Sequence, residues 1–149
     1  MSALTSLLAR DQVVPVKKIE EAIQRQVISG GDLATALLEV GAAVENVLCA
    51  YVAATHGLIP ATRDEVMRVP RDVVRLVPRE VAEKHRLVPL AVEGKTLVVG
   101  LVAPLSAEDE QQLSFLLGMT LVARIVTEPR IAAALAQYYD VAMASRMRR

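Results

Sequence analysis

The sequence predicts an α+β chain. It begins with a four-helix part made of two repeated helical hairpins and continues into a small sheet of about three strands with flanking helices. Three observations predict this. Apolar residues recur at helical spacing through residues 1–57, β-rich runs joined by a turn signal occupy residues 58–149, and the first part matches itself on a shift of 29 residues. The expected units are 1–57, a helical tandem repeat, and 58–149, an α+β part, with the break near Gly57.

Helices are expected at roughly 3–10, 16–27, 32–40 and 44–56. Leu4, Leu7 and Leu8 begin the i, i+3, i+4 pattern, and Ile19, Ala22, Ile23 and Gln26 carry it on. Leu33, Leu37 and Leu38 form the third stripe, closed by Gly41 as a C-terminal cap, and Val44, Val47, Leu48, Tyr51 and Val52 form the fourth. Pro15, Gly30-Gly31 and Gly57 separate the pieces.

After Gly57, prolines at 60, 70, 78 and 89 punctuate the chain, and Pro78 suits the first turn of a helix reaching about His85. Leu87–Val92 and Thr96–Val102 read as strands joined at Glu93-Gly94-Lys95, a hairpin signal. Ser106 and Asp109 have capping-box spacing before a helix to about Leu117, which Gly118 stops. Leu121–Val126 reads as a third strand, and Thr127 is placed to cap a last helix with Pro129 in its first turn.

Composition excludes several classes. At 53% hydrophobic and 23% charged, the chain is no disordered segment. Seventeen basic residues balance seventeen acidic ones, residues 1–57 carrying −2 and the remainder +2, and aromatic residues make up only 3%. A nucleic-acid polymer calls for a basic surface and stacking platforms, so none is expected as a partner. One cysteine and two histidines, His56 and His85, are too few for a metal centre, and no metal is expected. The lone Cys49 permits no internal disulfide and reads as a small buried apolar residue. The longest apolar run, Leu97–Leu105, has nine residues where a membrane helix needs about 20, so direct membrane insertion is not expected. Together with the early Arg10-Asp11, which leaves no room for a secretory signal, this predicts a cytoplasmic location.

Other features read as ordinary structure. Gly94-Lys95-Thr96 lacks the upstream glycine and following helix of a phosphate-binding loop, so ATP hydrolysis by this chain is not expected. The basic stretch Arg63, Arg68, Arg71, Arg75, Arg79, Lys84 and Arg86 is interleaved with acids and reads as an ion-paired surface. Glu108-Asp109-Glu110 suits a first helical turn. The tail Ser145–Arg149 reads as a frayed end.

The self-match places Leu4 on Leu33, Leu8 on Leu37, Ile19 on Leu48 and Ile23 on Val52. With the stretches Leu76–Ala82, Arg86–Leu90, Val92–Val99, Ala103–Leu105 and Ala133–Tyr139, this order resembles the MshEN, or GspE N-terminal, domain of type II secretion and type IV pilus assembly ATPases. That family's pattern is RLGxxLVxxGxxxxxxLxxxLxxQ, twice, five residues apart. The resemblance implies a non-enzymatic docking or regulatory domain, without a cofactor, that binds a protein of the secretion or pilus apparatus. Any membrane association would run through that partner.

In some members the tandem binds cyclic di-GMP, which makes a cyclic di-GMP receptor with a degenerate motif the alternative. The positions carried over for it are Leu8, Gln26, Leu37 and Gly41. Ala3 and Asp32 stand where the family has arginine, Thr5 and Ala34 where it has the first glycine, Gln12 where it has the second, and Thr55 where it has glutamine. Neither Ala nor Asp offers a guanidinium fork to a phosphate, and Asp32 would repel one. On these grounds cyclic di-GMP is not expected to bind.

Overall fold

Residues 2–143 are described by the computed structural model, so the tail Ser145–Arg149 lies outside the described residues. The helical part comprises α1 (Ala3–Arg10), α2 (Val16–Ser29), α3 (Leu33–Glu39) and α4 (Glu45–Thr55). Side-chain caps begin the shorter helix of each hairpin. Ser2 Oγ accepts the Thr5 amide at 3.3 Å, and Asp32 Oδ1 accepts the Thr35 amide at 2.6 Å.

The 29-residue shift is also a period of backbone geometry. The helices α2 and α4 start one period apart, at Val16 and Glu45. In α3 the Gly41 amide donates to the Leu38 carbonyl at 3.1 Å and Ala42 to Leu37 at 2.9 Å. In α1 Gln12 donates to Ala9 at 3.1 Å and Val13 to Leu8 at 3.0 Å. Both are Schellman turns, which place one residue in the left-handed region: Gly41 at φ 70° and Gln12 at φ 55°. Only glycine adopts that conformation freely, so Gln12 is strained where Gly41 is not. Gln12→Gly should therefore raise the unfolding free energy by about 1 kcal/mol, read from urea midpoints; an unchanged or lower midpoint would sink this account.

Three of the four equivalent pairs, Leu4 and Leu33, Leu8 and Leu37, and Ile19 and Leu48, meet in one core; the fourth does not, because Ile23 is exposed while its equivalent Val52 packs against that core. Leu8, Leu37 and Leu48 are 0% exposed and Ile19 is 2% exposed, packed with Val14, Ala22 and Ala36.

The second part holds β1 (Ile59–Pro60), α5 (Arg63–Met67), α6 (Arg71–Val74), α7 (Arg79–His85), β2 (Val88–Glu93), β3 (Thr96–Leu101), α8 (Ala107–Leu117), β4 (Thr120–Ile125) and α9 (Glu128–Tyr139). The sheet order is β1-β4-β3-β2, with β2 antiparallel to β3 and the other pairs parallel. Gly94, at φ 63°, opens the two-residue turn between β2 and β3, confirming a hairpin at Gly94-Lys95. Pro89 is tolerated because β2 is an edge strand with a register shift beside it. The parallel β3–β4 pair needs a crossover, which α8 supplies.

The structure adds three short elements to the expected set. Strand β1 has two residues and exists through its partner β4. Helix α5 opens with a complete capping box, Thr62 and Glu65 exchanging two 3.1 Å bonds, and α6 follows Pro70. Two of the few aromatic residues tie these pieces to α9. Tyr138 Oη donates to the Val66 carbonyl at 2.6 Å, and Tyr139 Oη to the Val74 carbonyl at 2.9 Å.

The helical part packs on the sheet through α4. Cys49, Ala53 and Ile125 form a buried cluster, and Cys49 Sγ donates to the Ile125 carbonyl at 3.1 Å. Burial, and next the nearby Glu45, push the thiol up to about 11, so Cys49 stays protonated and packs as an apolar residue. Beside this cluster Arg130 clamps Glu45 with two bonds, Nη2 to Oε1 at 2.7 Å and Nε to Oε2 at 3.0 Å, linking α9 to α4. Among the described residues, no helix is long and apolar enough to cross a membrane, and no three metal-ligating side chains gather.

Candidate functional site

A cleft of about 370 Å³ opens between the two helical hairpins and one end of the sheet. Volumes of roughly 300–1,000 Å³ are usual for small-molecule sites. Its helical wall consists of Ser2, Leu4, Gln26, Asp32, Leu33, Ala34 and Val52. Its other wall is Val102, Val126, Thr127 and Glu128, which follow β3 and β4 or begin α9.

The helical wall is drawn from both copies of the tandem. Leu4 and Leu33 are equivalent residues one period apart. They reach the same cleft because α1 and α3 present the same face on either side of the pseudo-symmetric core. Gln26 Nε2 donates to the Gly31 carbonyl at 3.1 Å, so this side chain also braces the spacer between the copies.

The residues carried over from the motif fall into different places. Gln26 lines the cleft. Leu8 and Leu37 are 0% exposed at the centre of the helical core, where no ligand reaches them. Gly41 is exposed at the end of α3, and its φ of 70° accounts for a glycine there.

The departures from the motif acquire local explanations too. Asp32 caps α3, so its carboxylate is partly occupied by the Thr35 amide. Thr5 is 1% exposed and donates to the Ser2 carbonyl at 3.0 Å, so its bulk is turned into the fold.

Electrostatically the cleft is unusual for an anion site. Asp32 and Glu128 supply carboxylates, and no lysine or arginine is among the lining residues. Glu128 Oε1, however, accepts a bond from Arg86 Nη2, which brings one guanidinium to the cleft's margin. The interleaved basic stretch accounts for little of this. Within it, among the described residues, Arg68 meets Asp64 at 3.9 Å, whereas Arg86 pairs outside it.

The sequence reading missed the sheet-side wall. Thr127, expected to cap the last helix, does stand at the N-cap of α9, but its hydroxyl makes no capping bond. Thr127 is 4% exposed and its Oγ1 is buried without a hydrogen-bond partner among the described residues. No linear signal marks Thr127 or Glu128, because their neighbours in the cleft lie about 100 residues earlier in the chain.

Comparison with known proteins gives a consistent picture. The MshEN domain model matches residues 58–145. A type IV pilus assembly ATPase, PilB of Myxococcus xanthus (strain DK1622), is 32% identical over 136 residues, covering 91% of this chain. The chain spans 24% of that relative's length. A solved structure described as MshE with cdg, cyclic di-GMP, superposes with a TM-score of 0.65 at 23% identity, covering 93% of this chain and 100% of that one. The N-terminal domain of XpsE superposes with a TM-score of 0.51 at 20% identity, covering 93% and 98%. The MshE structure overturns the expectation that cyclic di-GMP does not bind. That expectation rested on missing arginines, and it treated the tandem motif as the whole site, although Val102, Val126, Thr127 and Glu128 form a second wall from elsewhere in the chain.

Proposed function

The chain belongs to the MshEN domain family, and from that premise we propose that it is a cyclic di-GMP receptor domain regulating a pilus-type or secretion-type assembly ATPase. The observation that carries this reading is the cleft, where positions from both motif copies converge with the sheet-side wall. Leu4, Leu33 and Val52 offer apolar surface to purine faces, and Gln26 offers an amide that both donates and accepts. This reverses the order of readings reached from the sequence, in which docking came first.

A ligand seated there touches residues 1–57 and 58–149 at once. We take these as the two units whose relation the ligand biases, by binding one arrangement better than another. Docking to a protein of the assembly machinery then becomes the output of reception. The exposed end of α2, where Val27 and Ile28 are 81% and 83% exposed, is a surface suited to it. Co-purification of a machinery component that changes on adding cyclic di-GMP checks that coupling. In this reading the domain performs no catalysis, works in the cytoplasm and approaches a membrane only through its partner.

Isothermal titration of the chain with cyclic di-GMP tests the reading. A saturable one-site isotherm in the micromolar range, with cyclic di-AMP bound more weakly, is expected. No heat of binding up to millimolar ligand would remove it.

A further inference from the structure

Two features at the cleft are unexplained by the fold. The Thr127 hydroxyl is buried without a partner beside an otherwise ordinary helix start, although a threonine at that position normally caps the helix with its side chain. A buried hydroxyl left unbonded is destabilising, so its retention needs a reason.

Arg86 is the second feature. It ends α7 in the left-handed conformation, φ 50° and ψ 51°, where glycine would sit without strain, yet its side chain extends to Glu128 at the cleft. A guanidinium carries five donors in a planar fork, and among the described residues that of Arg86 makes one bond, from Nη2 to Glu128. Donors therefore remain for a second acceptor, and the side chain is 37% exposed, open to one.

We propose that Arg86 and Thr127, both outside the tandem motif, complete the ligand site. Arg86 donates to a phosphodiester oxygen and replaces the arginines absent at Ala3 and Asp32, while the Thr127 hydroxyl bonds the bound nucleotide. The proposal rests on the reading of this cleft as a cyclic di-GMP site. Electrostatics favours it: a dianionic ligand facing Asp32 and Glu128 needs a cation, and Arg86 is the guanidinium already bonded to a lining residue. By keeping its bond to Glu128 while adding one to phosphate, Arg86 would offset the repulsion between the carboxylate and the ligand.

Calorimetric titration with cyclic di-GMP, alongside thermal melts, tests this in three variants. Thr127→Val keeps the shape and removes the hydroxyl. It should melt no lower than the parent, since an unbonded buried group is lost, yet bind at least tenfold more weakly. Arg86→Gly relieves the backbone and should also weaken binding at least tenfold. Arg86→Gly combined with Glu128→Gln removes the carboxylate that the arginine neutralises, and its binding should stay weak. Parent-like affinity, within twofold, in either single variant would overturn the proposal. So would recovery in the double variant, because Arg86 would then only be masking Glu128. If the unmodified chain does not bind, the receptor reading fails and this proposal falls with it. Parent binding with unaffected variants defeats this proposal alone.

Discussion

Leu37→Ala is expected to lower the unfolding free energy by about 3 kcal/mol. Leu37 is 0% exposed and packs with Leu8, Ile19, Ala36 and Leu48, so the truncation leaves a cavity as well as losing apolar transfer energy. For a chain of this length each kcal/mol moves the melting temperature by about 2–4 °C, which predicts a fall of roughly 6–12 °C. Leu8, its equivalent in the other hairpin, should behave alike, and because the two share one core the double variant should deviate from additivity by at least about 0.5 kcal/mol. Urea denaturation of the four proteins measures the free energies, and thermal melts measure the shift in midpoint. A loss below about 1 kcal/mol for Leu37→Ala would mean that α3 is not anchored as described. Function should follow stability, because α3 carries Leu33 and Ala34 into the cleft.

The second large effect is at Gly100, in the middle of the sheet. Strand propensity alone predicts that Gly100→Val stabilises, since glycine weakens a strand interior and valine suits one. The structure predicts the opposite. A Cβ at Gly100 would stand 2.9 Å from Val126 Cγ2 and 3.6 Å from both Leu90 methyls. Val126 is β-branched and stiff, so it cannot swing aside as a long side chain would. The substitution should cost about 1–3 kcal/mol through overpacking, and Gly100→Ala should show a smaller loss. Val126 also lines the cleft, so on the proposed receptor reading the displacement should weaken cyclic di-GMP binding by about tenfold, equivalent to roughly 1.4 kcal/mol. Thermal melts and calorimetric titration read the two effects separately. A Gly100→Val protein as stable as the parent, with unchanged affinity, would show that Val126 has room to move.

The fold was largely legible because its rules are local. Helical spacing located α1 to α4, the Gly94-Lys95 turn located the β2–β3 hairpin, and Gly41 and Gly118 marked helix ends. The capping box at Thr62 and Glu65 was also legible in principle, but the prolines around it masked a helix as short as α5. Strand β1 was not legible: two residues carry no periodicity, and their pairing with β4 depends on a partner far along the chain.

The site was legible only in part. Gln26 of the carried-over positions lines the cleft, and the repeat partners Leu4 and Leu33 line it too, because the period that builds the core also places them. Leu8 and Leu37 carry an equally strong pattern and lie wholly inside the core. An apolar pattern reports which face of a helix is turned inward, and it does not distinguish core from cleft wall.

By itself the sequence determined the helical repeat, the hairpin, the α+β class and the family, because each is written in spacings between near neighbours. Only the tertiary structure decided that Thr127, Glu128 and Arg86 stand with the tandem motif, and that Gly100 is fixed by Val126. Those relations are distances between segments far apart in the chain. The two walls of the cleft meet because α4 packs against β4 and Arg130 clamps Glu45, whereas Gly100 meets Val126 through the pairing of β3 with β4.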